Sequence, residues 1–313
     1  MKKNIPVILS AAVAATFNAA AMAEGPIDGK IYGKINAAII SEDMNGTSDT
    51  ALESNASRFG FKGKTELDSG ISMVYQLEYE VNPTEKMADT KNSTIFKQRN
   101  SYIGLGTESA GTVMFGIHDT PLKLAQGKID QFNDLPVGDI KNLMNGEVRA
   151  TDVVAYASPS FSGLSVMAAI TQYEDSDEGT EDATSISATY KMDKLYVALA
   201  ADSEVAGNDV TRLAAQYSID ALTISAMFNS SEASAGGTSN NSTLVSAAYK
   251  INDFKIKAQF GSGNEKGNGG ELTGLGVDYK LGKKSKAYIY TASFKDDTGT
   301  DESATGVGIE HKF

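Results

Sequence analysis

Apolar and polar residues alternate one by one along most of this chain, and this pattern restricts its fold more than any other feature. In residues 71–81, isoleucine, methionine, tyrosine, leucine and valine share one face, while serine, glutamine and glutamate share the other. Residues 221–229, 254–260 and 272–281 repeat the pattern. Because successive side chains of a strand point to opposite faces, a period of two predicts strands with one apolar and one polar face. The chain is therefore predicted to be all-β.

The connectors between these strands alternate between short and long. Short connectors such as 108–111 and 251–253 carry turn residues, whereas long connectors such as 119–149 and 231–240 are mostly rich in glycine, serine, asparagine and acidic residues. A soluble sandwich shows the same alternation within its strands. Short turns at one rim and long polar loops at the other are instead typical of outer-membrane barrels. The long connectors are predicted near 43–54, 83–96, 119–149, 175–181, 204–209, 231–240, 262–269 and 296–302.

The sequence thus predicts a transmembrane antiparallel β-barrel of sixteen strands. An even number of strands places both ends of the chain at the rim of short turns. The predicted strands are 28–42, 55–68, 70–82, 97–107, 111–118, 151–158, 163–174, 182–192, 194–203, 210–219, 221–230, 241–251, 253–262, 270–281, 285–295 and 303–313.

The first residues have the pattern of an export signal. Lys2 and Lys3 precede a short apolar stretch, and small residues at Ala21 and Ala23 form a cleavage pattern before Glu24. The apolar stretch is much shorter than the ~20 residues of a spanning helix, which disfavours a membrane anchor. We therefore predict a signal peptide at 1–23 and a barrel domain at 24–313.

Composition excludes several classes of function. Without its first 23 residues the chain has 26 basic and 40 acidic residues, a net charge of −14. Such a chain offers no basic stripe for nucleic acid, so no nucleic-acid partner is expected. It also has no cysteine for disulfides or thiolate chemistry. Nucleophilic catalysis usually needs a histidine base, and only His118 and His311 are present. We predict no enzymatic activity, no metal and no cofactor.

Several segments, taken in order, resemble the general trimeric porins of Gram-negative bacteria, most closely the neisserial and proteobacterial type. Each segment is weakly specific, but together they span almost the whole predicted barrel domain. One departure is Ile117, where family members often have an arginine after the glycine that ends the fifth strand. By alternation with Val113 and Phe115, this position is predicted to point outward, so the departure bears on an inter-subunit contact of the family more than on a pore charge. The segments are Ile31-Tyr32-Gly33-Lys34, the run 57–63, the run 99–105, the run 111–116, the run 153–164 and His311-Lys312-Phe313.

The resemblance implies a homotrimer in the outer membrane of a Gram-negative bacterium, in contact with membrane lipid and lipopolysaccharide. It implies passive diffusion of ions and small hydrophilic solutes through a water-filled channel. It also implies that the third long loop, at 119–150, folds into the lumen and narrows it. Phe313 shares a face with Val307 and Ile309, and by resemblance it is expected to aid recognition by the barrel assembly machinery.

Alternation also assigns charged residues to the lumen. Arg58 and Lys62 lie opposite to Phe59 and Phe61 in the pleat. Lys34 is predicted to point inward because Ile31 and Ile35 lie on the opposite face of its strand. Arg99 is predicted to point inward because Tyr102 lies on the opposite face of its strand. The resemblance places Arg149 inward as well. A basic row facing acids of the third loop would produce a transverse field that orients solutes and tunes ion selectivity. The predicted constriction consists of Lys34, Arg58, Lys62, Arg99, Arg149, Asp130, Asp134, Asp139 and Glu147.

Three alternatives remain open at this stage: a channel specific for a sugar or for phosphate, a barrel enzyme, and an adhesin. A channel specific for a sugar would need an inward row of aromatic side chains, and a channel specific for phosphate would need more lysines in the lumen. A barrel enzyme and an adhesin with a plugged lumen are less favoured, the enzyme because catalytic side chains are scarce. Conductance of the purified protein in planar bilayers separates these readings.

Overall fold

The fold is a single antiparallel sheet that closes on itself. The computed structural model describes residues 28–67, 70–85, 96–171, 182–267 and 269–313. The predicted signal peptide lies outside these residues, as do most of the predicted connector at 83–96 and that at 175–181. The strands are β1 (Gly29–Met44), β2 (Thr47–Ser54), β3 (Arg58–Glu66), β4 (Ser72–Glu80), β5 (Lys97–Gln98), β6 (Ser101–Thr107), β7 (Gly111–Asp119), β8 (Arg149–Ala157), β9 (Leu164–Thr171), β10 (Ala183–Met192), β11 (Leu195–Val205), β12 (Asn208–Ile219), β13 (Leu222–Ala233), β14 (Asn240–Ile251), β15 (Phe254–Gly263), β16 (Gly270–Lys280), β17 (Ser285–Lys295) and β18 (Asp301–Lys312).

These segments form sixteen wall strands, as the sequence predicts. Segments β2 and β3 both pair with β1 and are one strand interrupted at 55–57. In the same way, β5 and β6 both pair with β4 and are one strand interrupted at 99–100. Each other segment is a wall strand of its own, and each pairs with its neighbours in an antiparallel ladder.

The barrel closes between its first and last strands. Strand β1 pairs with β18 from Lys34 opposite Lys312 to Met44 opposite Glu302. The backbone of Phe313 extends this ladder, since its N–H donates to the carbonyl of Gly33 over 3.1 Å. The Phe313 ring occupies the space that a side chain at Gly33 would need. Closure leaves no free sheet edge, which is required of a sheet surrounded by lipid.

Two of the predicted long connectors are tight hairpin turns instead. Asn45 and Gly46 alone join β1 to β2, with φ of 55° and 82°. Ala206 and Gly207 join β11 to β12 in the same way, with φ of 51° and 74°. Two residues with positive φ give the turn whose twist matches that of the flanking strands. The contrast between short and long connectors is therefore weaker than the composition predicts.

The two faces of the wall differ as the alternation predicts. Ile289 on β17 is half exposed, whereas its neighbour Tyr290 is buried inside the barrel. The same contrast separates Val245 from Leu244 on β14. The outward residues form an apolar belt of isoleucine, leucine, valine and aromatic side chains, suited to contact with lipid. Among the described residues, no helix is long and apolar enough to cross a membrane.

Candidate functional site: the lumen and its inner loop

The connector between β7 and β8 is the main feature of the lumen, and we call residues 120–148 the inner loop. It starts with the short helix α1 (Pro121–Ala125), in which the Thr120 hydroxyl accepts the N–H of Lys123 over 3.2 Å. Proline suits this first helical turn because its missing N–H would have no partner there. A 3-10 helix follows at Ile140–Asn142. The side chains of Leu122, Ile129, Phe132 and Ile140 are wholly buried.

Inward side chains of the wall bind the backbone of the inner loop. The Ser246 hydroxyl donates to the carbonyl of Ile129 over 2.6 Å, and the Gln259 amide donates to that of Gly138 over 2.7 Å. Tyr196 donates to the carbonyl of Ala125 over 2.9 Å. These partners stand on β11, β14 and β15. The inner loop therefore packs against the lumenal face of this half of the barrel.

Arg212 is the strongest single anchor of the inner loop. It lies on β12, its side chain is 0% exposed, and its Nη1 donates to Glu147 Oε1 over 2.7 Å. Its Nη2 donates to the carbonyl of Asn145 over 3.0 Å, and its Nε donates to Asn229 Oδ1 over 2.8 Å. Burial raises the pKa of Glu147, although Arg212 opposes that rise. Arg212 is absent from the predicted constriction, although its alternation with outward Leu213 places it on the lumenal face.

Asp134 joins the inner loop to the opposite wall. Its Oδ2 lies 2.9 Å from Lys34 Nζ and 3.4 Å from Arg58 Nη2. Burial alone would raise the pKa of Asp134, but the charges of Lys34 and Arg58 outweigh it and hold that pKa below its usual value. Of the four predicted loop acids, Asp134 is the one that meets predicted wall cations directly.

Asp130 and Asp139 hold the shape of the inner loop. The carboxylate of Asp130 accepts the N–H of Phe132 over 2.8 Å and that of Ile140 over 3.1 Å. Asp139 accepts the N–H of Asp134 over 3.0 Å and that of Lys141 over 2.9 Å. Burial and the nearby charge of Asp139 raise the pKa of Asp130. Both carboxylates thus bind backbone, a contact that the sequence analysis did not foresee.

Arg99 and Arg149 have acidic partners on the wall rather than on the inner loop. Arg99 lies 2.7 Å from Glu78 and 2.7 Å from Glu80, both on β4. Arg149 lies 3.1 Å from Asp119 at the end of β7. Glu78 and Glu80 lie on the predicted polar face of residues 71–81 but are absent from the predicted constriction.

Lys62 contacts an aromatic side chain. Its ammonium lies 4.6 Å from the centroid of the Tyr32 ring, within the range of a cation–π contact. The Tyr32 hydroxyl donates to Glu78 over 2.9 Å, so this ring links Lys62 to the acids of β4. The basic and acidic residues of this part of the wall form one connected set.

Two residues do not lie where simple alternation predicts. Tyr102 is 9% exposed and its ring lies 5.0 Å from that of His118, so the expectation that it points outward is wrong. The interruption between β5 and β6 resets the phase, which is why Arg99 and Tyr102 both lie inside. Ile117 was also expected to point outward, but it lines the central cavity. A register shift between Gly116 and His118 turns it inward.

The site is a cavity of about 1080 Å³ between the inner loop and the wall of β1 to β8. Seven of the nine predicted constriction residues line it. Lys34 reaches this region through Asp134, and Asp130 lines a smaller cavity on the other side of the loop. Among the described residues, the charged lining of the central cavity of about 1080 Å³ consists of Arg58, Lys62, Lys97, Arg99, Lys123, Lys141 and Arg149 with Glu53, Glu78, Glu80, Asp119, Asp134, Asp139 and Glu147.

The histidines are not arranged for catalysis. His118 is buried, and its Nδ1 lies 2.7 Å from the carbonyl oxygen of Asp119. His311 is exposed and contacts the hydroxyl of Ser285 over 2.7 Å. Within the described residues, no group of three histidine, aspartate or glutamate side chains is placed to hold a metal ion.

A closed barrel of sixteen strands with a charged, water-accessible lumen defines a membrane channel protein rather than an enzyme. The family model for Gram-negative porins matches residues 10–299, and the chain belongs to that family. Its location is therefore the outer membrane of a Gram-negative bacterium.

Among curated proteins, an outer membrane porin protein of Bordetella pertussis is 30% identical over 186 residues, which are 52% of this chain and 46% of that protein. The chain thus matches about half the length of that relative.

Solved structures support the fold. An anion-selective porin from Comamonas acidovorans has a TM-score of 0.73 and 18% identity, covering 91% of this chain and 99% of that one. OmpF of Salmonella typhi, solved in complex with daunomycin, has a TM-score of 0.70 and 15% identity, covering 91% of this chain and 97% of that one. At these identities the likeness extends to the fold and not to the residues of the lumen.

Proposed function

We propose that the protein is an outer-membrane channel for passive diffusion of ions and small hydrophilic solutes. The observation that carries this proposal is the central cavity, which is lined by seven basic and seven acidic residues among those described. Charged groups on this scale keep a space filled with water, since a dry space would leave them without hydration. The charges balance, so the cavity has no strong overall preference for one sign.

The proposed constriction lies between the inner loop and the wall of β1 to β8. Lys34 and Arg58 meet Asp134 of the inner loop, and Lys62, Arg99 and Arg149 line the same cavity with Asp139 and Glu147. Lys34 and Arg58 on the wall and Asp134 on the inner loop place opposite charges on two sides of the path, which generates a transverse field. Such a field orients dipolar solutes and contributes to ion selectivity.

Planar bilayers test the proposal. The wild-type protein should conduct, and the double variant Arg58→Ala with Arg99→Ala should shift the reversal potential toward cations, because both residues line the cavity. A matched control is Lys283→Ala with Lys284→Ala, which removes two exposed charges from a short turn. A reversal potential that the arginine variant leaves unchanged, in protein that conducts, removes both residues from the constriction. Absence of conductance in the wild type contradicts the channel itself.

The protein is further proposed to assemble as a homotrimer in contact with membrane lipid and lipopolysaccharide. The apolar outer belt favours these contacts, and a refolded OmpT of Vibrio cholerae with a TM-score of 0.67 was solved as a trimer. Mass measurement of the detergent-solubilised protein, with and without added lipopolysaccharide, tests both parts. A monomeric mass under all conditions argues against the trimer.

Two assignments concern export and assembly. Residues 1–23 are proposed as a signal peptide, so the exported protein should begin at Glu24 when its N-terminus is sequenced. Phe313 is proposed to aid recognition by the barrel assembly machinery. Deletion of Phe313 should lower the yield of inserted barrel in cells while leaving refolding in detergent intact. Equal losses in both assays would leave Phe313 with only the packing role it has over Gly33.

A further inference from the structure

A second cavity lies on the other side of the inner loop and has a different charge from the first. Its volume is about 300 Å³, at the lower end of the range for small-ligand sites. Among the described residues, its charged lining consists of Lys128, Lys255, Lys257 and Lys286 with Asp130 and Asp278. The excess of lysine contrasts with the balanced central cavity and with the acidic chain as a whole.

Three of these lysines contact either Gln131 or Asp278, and Lys257 contacts both. Lys255 Nζ donates to Gln131 Oε1 over 2.8 Å, and Lys257 Nζ donates to the carbonyl of Gln131 over 3.0 Å. Lys257 and Lys286 share Asp278, at 3.2 Å and 3.0 Å. One carboxylate thus faces two lysines directly. Each ammonium carries three donors, so Lys255 and Lys286 retain donors for a ligand.

The other acid of this cavity, Asp130, binds the backbone of the inner loop. Both oxygens of Asp130 accept backbone N–H groups of the inner loop. Its pKa is raised by burial and by Asp139, which increases the neutral fraction of this carboxyl. Asp278 is therefore the carboxylate of this cavity that meets its lysines directly.

The position of the cavity relates it to the path of solutes. Gln126, Gly127 and Asn133 line both cavities, so the two are adjacent across this part of the inner loop. Lys255 and Lys286 are the second residues of β15 and β17, next to the short turns. These lysines therefore lie close to the rim of short turns, in a cavity adjacent to the central one.

We propose that the cavity bounded by Lys128, Lys255, Lys257 and Lys286 is a binding site for multiply charged oxyanions of the phosphate class. The site rests on the proposed channel function and gives that channel a preferred class of solute. Lysine is a common phosphate ligand, acting as a point charge with several donors. An oxyanion with two or more charges can contact Lys255 and Lys286 together, whereas a singly charged anion gains less from the pair.

Single-channel recording with pyrophosphate as the probe tests the site. Pyrophosphate should reduce wild-type conductance in a saturable way, and nitrate at equal ionic strength should not. The variant Lys255→Gln with Lys286→Gln should raise the half-blocking pyrophosphate concentration about tenfold, because two charged hydrogen bonds are lost. The variant Lys283→Gln with Lys284→Gln removes the same charge from the same rim outside the cavity and should change it less than about twofold. Equal effects of the two variants overturn the site.

Calorimetric titration of the detergent-solubilised protein with pyrophosphate separates the site from the channel. If the wild type binds pyrophosphate and the Lys255→Gln, Lys286→Gln variant does not, the site stands even where conductance is absent and the channel proposal fails. If the wild type conducts but pyrophosphate neither blocks its conductance nor binds to it, the channel proposal stands and the proposed binding site is wrong. A change in the mobility of the unheated variant in SDS gels would reveal misassembly. In that case the single variant Lys286→Gln, which changes a partly exposed lysine, takes the place of the double variant. It should also raise the half-blocking pyrophosphate concentration.

Discussion

The two halves of this barrel have the same outer face but different inner faces. From β10 to β17, the inward residues that meet the inner loop are largely small or apolar, such as Ala198, Ala214, Leu244 and Tyr290. From β1 to β8, many inward residues are charged, and the cavity lies against them. The outer face alternates in the same way throughout, because lipid surrounds the whole barrel. The inner face differs because one half meets protein and the other meets water.

This contrast shows how a wide barrel can be both packed and open. Apolar inward residues provide contact area for the inner loop, and polar ones among them bind its backbone carbonyls. Charged inward residues on the other half cannot lose water without a partner, so they keep that side open. A lumen lined by charge alone would leave the inner loop without a surface to bind.

Removal of the buried anchor should have the largest effect on the packed half. Arg212→Ala leaves the Glu147 carboxylate buried without its partner, and loss of one member of a buried ion pair costs about 3–5 kcal/mol. We expect a lower urea midpoint in detergent micelles and faster hydrogen exchange in the inner loop. Lys295→Ala, which removes one partner of an exposed ion pair, serves as the control and should change little. Equal midpoints for the two variants would contradict the anchoring role.

Overpacking beneath the inner loop should have a smaller effect. A Cβ at Gly274 would lie 2.8 Å from the ring of Phe132, which is wholly buried. Gly274→Ala should therefore destabilise the protein by about 1–3 kcal/mol and displace the inner loop. Gly282→Ala in a short turn has no neighbour within 4 Å of its Cβ and should stay within about 0.5 kcal/mol of the wild type. The difference between their unfolding midpoints measures the packing of the loop.

Acidity should affect the two sides of the inner loop in opposite directions. The pKa of Asp134 is lowered by Lys34 and Arg58, so its contribution to stability is present above the unfolded value of about 4 and is lost as pH falls through the folded value. The pKa of Asp130 is raised, so its contribution is full below about 4 and is lost as pH rises toward the folded value.

Hydrogen exchange of the inner loop, followed from acidic to neutral pH, checks both signs. Asp134→Asn should remove the loss of protection at low pH, and Asp130→Asn should remove the loss at higher pH. If either variant retains the dependence of the wild type, the assignment of that carboxyl is wrong.

The wall of the barrel could be predicted from the sequence because lipid and lumen impose their contrast at every residue. The predicted strand at 285–295 agrees with β17 in its bounds. The predicted face of a side chain was wrong where the backbone departs from regular strand pairing. The interruption before Ser101 and the register shift at Gly116 each moved a side chain to the unexpected face. Alternation alone does not locate such breaks.

The inner loop could be predicted only in part. Its length and position indicated a functional segment, and Asp134 does meet Lys34 and Arg58. The roles of the other acids depend on which wall residues the loop meets, and those contacts join residues far apart in the sequence. Arg212 and Glu147 are 65 residues apart. No local pattern relates them, although alternation does place Arg212 inside the barrel.

The central claim is that water fills the charged half of the lumen and is excluded where the inner loop packs directly on the wall. The chain has no cysteine, so one introduced thiol can report on each half. Lys62→Cys lies in the cavity lining, and Ala214→Cys lies at a wholly buried position in the packed half. A negatively charged methanethiosulfonate reagent, applied during single-channel recording, should change the conductance of Lys62→Cys and leave Ala214→Cys and the parent protein unaffected. Rapid modification of Ala214→Cys together with an unreactive Lys62→Cys would contradict this account of the channel.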